Sequence, residues 1–130
     1  MCIRDRYDAK RSVKKIKDTE KAKAHLEKIA IEAAKQCGRS RIPTVEIIGN
    51  TEDVAARINR HDCVLFAYEE ERGMKLSDAI PVNACDIGII IGPEGGFEKE
   101  EAENLISAGA SVCSLGKLIL RAETASIRCV

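Results

Sequence analysis

Tryptophan is absent from this 130-residue chain and aromatic residues make up only 3% of it, too few to stack successive bases along a sheet face. No Cys-x-x-Cys occurs. The six cysteines, at positions 2, 37, 63, 85, 113 and 129, all stand more than fifteen residues apart, whereas zinc ligands come in close pairs. No metal is therefore expected. Several cysteines adjoin apolar runs, as in Asp62-Cys63-Val64-Leu65, and read as small buried hydrophobes in a reducing cytoplasm. No apolar run approaches the roughly twenty residues that span a bilayer, and there is no secretory leader pattern.

What is present suits one α/β domain. Hydrophobic residues form 45% of the chain, and a chain of this size buries roughly two thirds of its unfolded surface. The net charge is zero but unevenly spread. Residues 1–41 hold thirteen Lys and Arg against six Asp and Glu, and residues 42–130 hold eight against fifteen. The basic front end fits either a phosphate-facing surface or a solvated helix face.

The opening Met1–Arg6 has neither helical nor strand periodicity. It resembles a translated linker remnant, so the fold is expected to begin after it. Residues 18–37 predict a helix, capped by Asp18 or Thr19. Its stripe is Leu26, Ile29, Ala30, Ala33 and Cys37, and Gly38 closes it. A short strand is expected at Thr44–Ile48, then a helix from Asn50 or Thr51 to about Asn59. Cys63–Ala67, Asp86–Ile91 and Ala110–Leu115 are short apolar runs of the kind buried on both faces of a parallel sheet. A helix from about Lys99 to Ala108, closed by Gly109, separates the last two. Strands alternating with helices imply a mostly parallel sheet with helices on both faces. His25 and His61 read as surface residues, and Glu69-Glu70-Glu71 as a solvated turn.

In such sheets ligands sit beyond the carboxyl ends of strands. After Ile89–Ile91 comes Gly92-Pro93-Glu94-Gly95-Gly96-Phe97, where three glycines let backbone approach a ligand or simply make a turn. It is neither G-x-G-x-x-G nor a P-loop, for no Lys-Ser/Thr pair follows. After Val112–Leu115 comes Gly116-Lys117-Leu118-Ile119-Leu120-Arg121-Ala122-Glu123-Thr124-Ala125. Its apolar part serves either as the wall of an adenine pocket or as core. Its Arg121 and Glu123 serve either a reacting centre or a helix start.

These two motifs, in this order and at this spacing, resemble the signature of the RsmE family of ribosomal RNA uridine-N3 methyltransferases, of the SPOUT class. Glu32-Ala33-Ala34-Lys35-Gln36-Cys37-Gly38-Arg39 with Pro43 resembles an upstream segment of that family, so the likeness runs from about Tyr7 to the end. It implies a trefoil-knotted α/β domain, an exception to the rule of unknotted chains. It also implies a homodimer acting on small-subunit ribosomal RNA or the assembled subunit, and S-adenosylmethionine bound in three loops. Mapped here, Ala67 lies at the first loop, Gly92, Pro93 and Gly95 in the second, and Leu115, Gly116, Ile119 and Leu120 in the third.

The likeness departs at three points. The family's separate N-terminal PUA-like β-barrel has no counterpart here, its Arg-Trp pair stands as His25-Leu26, and its last helix is expected to continue beyond Val130. The expected organisation is thus a non-native leader at 1–6 and a SPOUT domain at 7–130, truncated at both ends. For chemistry, Glu123 or Glu94 is the candidate base for the uracil N3 proton. Arg121 is the candidate stabiliser of charge on the neighbouring carbonyl oxygens. Two competing functions are a non-catalytic RNA-binding or ribosome-assembly module with the same fold, and an unrelated nucleotide-binding α/β protein.

Overall fold

Helix α1 (Thr19–Gln36) begins where Asp18 Oδ1 accepts the Lys21 amide at 3.1 Å, the bond expected of an N-cap. It ends at Gly38, φ 68°, with the Arg39 amide returning to the Ala34 carbonyl at 2.9 Å and the Gly38 amide to that of Lys35 at 3.3 Å. The computed structural model describes residues 3–71 and 73–129, so Met1, Cys2, Arg72 and Val130 lie outside the described residues. Contacts divide the chain into two units. One joins the residues up to Asp8 with Lys14–Asn50, and the other joins Ala9–Val13 with the chain from Thr51 onward.

In the first unit, β1 (Ile3–Arg6) pairs in parallel with β2 (Thr44–Ile47), Ile3 opposite Thr44 and Arg6 opposite Ile47. This corrects the expectation that the fold starts after residue 6. Strand pairing uses backbone groups, so it needs no alternation of side chains to announce it. Helix α1 packs on β2, and its covered face is narrower than the predicted stripe. Ala34 is buried and Leu26 and Ala30 half-buried, whereas Ile29, Ala33 and Cys37 are exposed. Ala22, Leu26, Ala30 and Ala34 follow one i, i+4 row, with Lys23 and Ile31 half-buried beside it.

The second unit contains a three-stranded parallel sheet in the order β4-β3-β5: β3 is Cys63–Ala67, β4 Ile87–Ile91 and β5 Ser111–Cys113. Central β3 is buried from Cys63 to Phe66, as continuous apolar strands of parallel sheets are. Edge strand β4 is not: Ile90 is buried, but Ile87 and Ile89 are each 37% exposed. Burial on both faces therefore holds for β3 and fails for β4. Phe66 anchors the core, with Phe97 edge-on at 4.9 Å and Tyr68 stacked at 5.2 Å. Leu105 of α4 (Lys99–Ser107) is buried as well, and Cys113 clusters with Cys63 and Leu65.

Between Asn50 and β3 the predicted helix breaks early. Helix α2 (Thr51–Ala55) gives way to a 3₁₀ turn at Ile58–Arg60. A short helix α3 (Leu76–Ala79) was not anticipated, and α5 (Ala122–Cys129) contacts β4. At the amino ends of β3 and β4, Asp62 Oδ2 accepts the Cys85 and Asp86 amides at 2.9 and 3.0 Å. These bonds hold its carboxyl below the usual carboxylate range. His61 is half-buried rather than a plain surface residue, with Nδ1 3.0 Å from Asp86 Oδ2.

Of the described cysteines, Cys63 and Cys113 are the buried hydrophobes expected, Cys37 and Cys85 are exposed, and Cys129 is intermediate. Burial pushes the Cys113 thiol up to about 11. Among the described residues no helix is long and apolar enough to cross a membrane.

Candidate functional site

The register of the sheet aligns its carboxyl ends. Ala67 pairs with Ile91 on one side and with Cys113 on the other, so the chain leaves three adjacent strands at one level. The segments that follow begin at Tyr68, Gly92 and Ser114, and contain the loops singled out above. Such an edge is where open parallel sheets place their ligands.

The turn after β4 closes on itself, with the Gly96 amide donating to the Pro93 carbonyl at 3.0 Å. Its glycines answer first to their own chain. A Cβ on Gly92 would lie 2.7 Å from Phe97 Cε2, one on Gly95 would lie 2.7 Å from the Arg11 carbonyl oxygen, and one on Gly96 would strike Glu69 Oε1. At Gly95 it is the Arg11 backbone that occupies the space a side chain would take. Glu69 and Glu70 are exposed as expected, but Glu71 Oε1 caps the turn by accepting the Gly73 and Met74 amides at 2.6 and 3.1 Å.

The loop after β5 is different. Ser114 is fixed, its amide donating to the Met74 carbonyl at 2.7 Å and its hydroxyl to the Gly116 carbonyl at 3.1 Å. Gly116 then takes φ 131° with no atom within 4 Å of a Cβ built there. Beyond it Leu118 is 80% and Ile119 84% exposed, while Leu115 and Leu120 are half-buried. That excludes the core alternative for Leu118 and Ile119. Two large aliphatic side chains stand bare beside an open glycine backbone.

Arg121 and Glu123 follow at the start of α5. The Arg121 carbonyl accepts the Ala125 amide at 2.8 Å, and Glu123 lies in the first turn, where the helix dipole favours a carboxylate. Glu94 is exposed in the turn after β4. Among the described residues, none of these three side chains has a hydrogen-bond or ion-pair partner. The structure thus puts all the predicted residues in segments that leave the carboxyl edge or, for Ala67, at it. In the first unit, a shallow depression on α1 around His25, Ile29 and Ala33 contains none of them.

Sequence reasoning missed Glu101 and the segment before it in space. Glu101 is buried, and its Oε1 accepts the Lys10 amide at 2.9 Å and the Thr51 hydroxyl at 3.1 Å. Its Oε2 accepts the Glu98 amide at 3.1 Å, half of a capping box. The Glu-x-x-Glu spacing ahead of an apolar run was the available signal.

The family model for an RNA methyltransferase domain matches residues 6–130. The chain belongs to the RNA methyltransferase domain family. Among curated relatives, ribosomal RNA small subunit methyltransferase E of Bacillus subtilis is 36% identical over 130 residues, covering 93% of this chain and 50% of the relative. A Legionella pneumophila protein solved in complex with the cofactor SAM superposes with a TM-score of 0.86 at 31% identity, over 98% of this chain and 52% of that one. Ribosomal RNA small subunit methyltransferase E of Neisseria gonorrhoeae, solved bound to S-adenosyl methionine, gives 0.81 at 30% identity, over 95% of this chain and 50% of that one. The chain spans about half the length of these relatives. The resemblance drawn from its motifs to the RsmE family is borne out, as is the mostly parallel α/β class.

Proposed function

We propose that this chain is the donor-binding part of a methyltransferase that uses S-adenosylmethionine to methylate N3 of a uridine in small-subunit ribosomal RNA. The observation that carries the reading is the loop after β5, where Leu118 and Ile119 stand bare beside the open backbone of Gly116. A flat adenine suits that setting: apolar side chains cover its faces, and no Cβ at Gly116 stands in the way of its edge. The residues present fit the donor there. In the turn after β4, Gly92, Pro93 and Gly95 would border it, the two glycines by backbone alone, since their side-chain space is filled by the chain's own atoms. Ala67, at the end of the central strand, would form the floor, with Leu120 behind it.

When bound, the donor supplies a methyl group already activated on a sulfonium. The chain's own residues hold the acceptor base in line and deal with its proton. Glu123 or Glu94 would accept the N3 proton, directly or through one water. Arg121 would balance the negative charge that then spreads to the adjacent carbonyl oxygens. The excess of cations in residues 1–41 offers phosphate contacts to ribosomal RNA or the assembled subunit. A homodimer, the knotted SPOUT topology and a cytoplasmic location belong to the same proposal, which rests for them on family resemblance.

The test has two arms. Calorimetry with S-adenosylhomocysteine should show one site per chain, lost in Ile119→Asp. Labelled donor with unmethylated small subunits should then yield 3-methyluridine. Donor uptake without methyl transfer would favour a non-catalytic RNA-binding module, and no uptake would end the reading.

A further inference from the structure

Residues 9–13 lie outside both motifs, yet they run across the turn after β4. Ala9 is wholly buried and its amide is held by Ser12 Oγ at 3.0 Å. The Lys10 amide reaches the buried Glu101 carboxylate, and Lys10 Nζ meets Glu100 at 2.8 Å and Glu98 at 3.4 Å. Arg11 Nε stands 3.9 Å from Glu98. Between these fastenings the Arg11 backbone presses on Gly95, so closely that even a methyl group there would lie 2.7 Å from the Arg11 carbonyl oxygen.

We infer that Ala9–Val13 is a strap that holds the Gly92–Phe97 turn in its folded-back shape, with Ala9 as its anchor and Lys10 as its positioning residue. Neither residue needs to touch a ligand. One end is fixed by burial and a carboxylate that three segments share. The middle meets the turn at the only kind of residue that allows such contact. The exposed ion pairs of Lys10 trim the fit and are weak singly. Most of the hold comes from the Ala9 burial and the Lys10 amide. A strap fixed at one end and tight at its centre transmits displacement, so lifting residue 9 or 10 frees Gly95 and with it the turn. The further consequence, that the strap sets donor affinity, rests on the methyltransferase reading above.

The Gly96 amide, bonded to Pro93, reports the turn because it exchanges with solvent only when the turn opens. Ala9→Leu overfills the anchor two residues before the Arg11 contact and should raise Gly96 exchange about tenfold or more. Lys10→Met keeps the aliphatic stem and leaves the core alone; it should raise exchange a few-fold, with Lys10→Arg restoring it. S-adenosylhomocysteine affinity should fall in step with exchange across the series. Gly96 exchange unmoved in Lys10→Met and in any folded Ala9→Leu overturns the strap. Faster exchange with unchanged affinity overturns its role in donor binding. Faster exchange in a chain that takes up no nucleoside at all supports the strap and sinks the methyltransferase reading instead.

Discussion

The Arg121 guanidinium is bare while its carbonyl is committed to α5, so side chain and backbone are separable by mutation. On the proposed reading, Arg121→Ala should slow methyl transfer by about a hundredfold or more, the usual cost of losing one charge-stabilising donor. S-adenosylhomocysteine affinity should stay near wild type, and Arg121→Lys should recover part of the rate because an ammonium lacks the planar fork. Single-turnover methylation beside equilibrium binding measures both. If affinity and melting temperature fall together in Arg121→Ala, the residue is structural. Arg121 and Glu123 were legible because they stand in a motif. Glu101 was not, because it sits among Glu98, Glu100 and Glu103 in what reads as a solvated helix face. Its burial arises only when Lys10 and Thr51 arrive from distant parts of the chain. Gly95 was legible as a close approach, but nothing local says that the approaching group is Arg11.

At the level of elements, the sequence announced those whose signals are local. Helix α1 shows its cap and closing glycine, α4 its closing glycine, and β3 its apolar run. It did not announce β1, whose pairing with β2 is a backbone affair, or the exposed face of β4, which follows from edge position rather than composition. The join between β3 and β4 carries a pH dependence. Asp62 has a depressed carboxyl in the folded chain because two amides donate to it. It therefore stabilises the fold above its unfolded value of about 3.9, and that contribution fades as pH falls through the lower folded value. Asp62→Asn should melt below wild type at pH 7, with the gap closing as pH drops below about 4. Melting curves from pH 7 to 3 decide it. A gap that stays constant would assign the effect to shape rather than charge.

For the whole molecule, the exposed aliphatic side chains of the second unit are the feature with the widest reach. Ile87, Ile89, Leu118, Ile119 and Ile127 are all at least 37% exposed, aliphatic side chains that a partner could cover. If a second copy covers some of them, as the proposed homodimer requires, Ile127→Asp should abolish any concentration dependence of sedimentation while donor-product binding persists. A wild-type chain that sediments as a monomer at every attainable concentration contradicts that. The family itself was legible from two motifs in order.

The parallel pairing of every strand among the described residues bears on when this chain acquires its shape. Among those residues no ladder joins neighbours across a hairpin: Ile3 pairs with Thr44, Cys63 with Ile87, and Leu65 with Ser111. Each contact closes a long loop before it gains anything, which is the slow regime of folding. Within the three-stranded sheet β3 is made first but has no partner until β4 emerges, and its second edge is filled only when β5 follows. The loops that would hold the donor thus take their places only once β5 has joined the sheet.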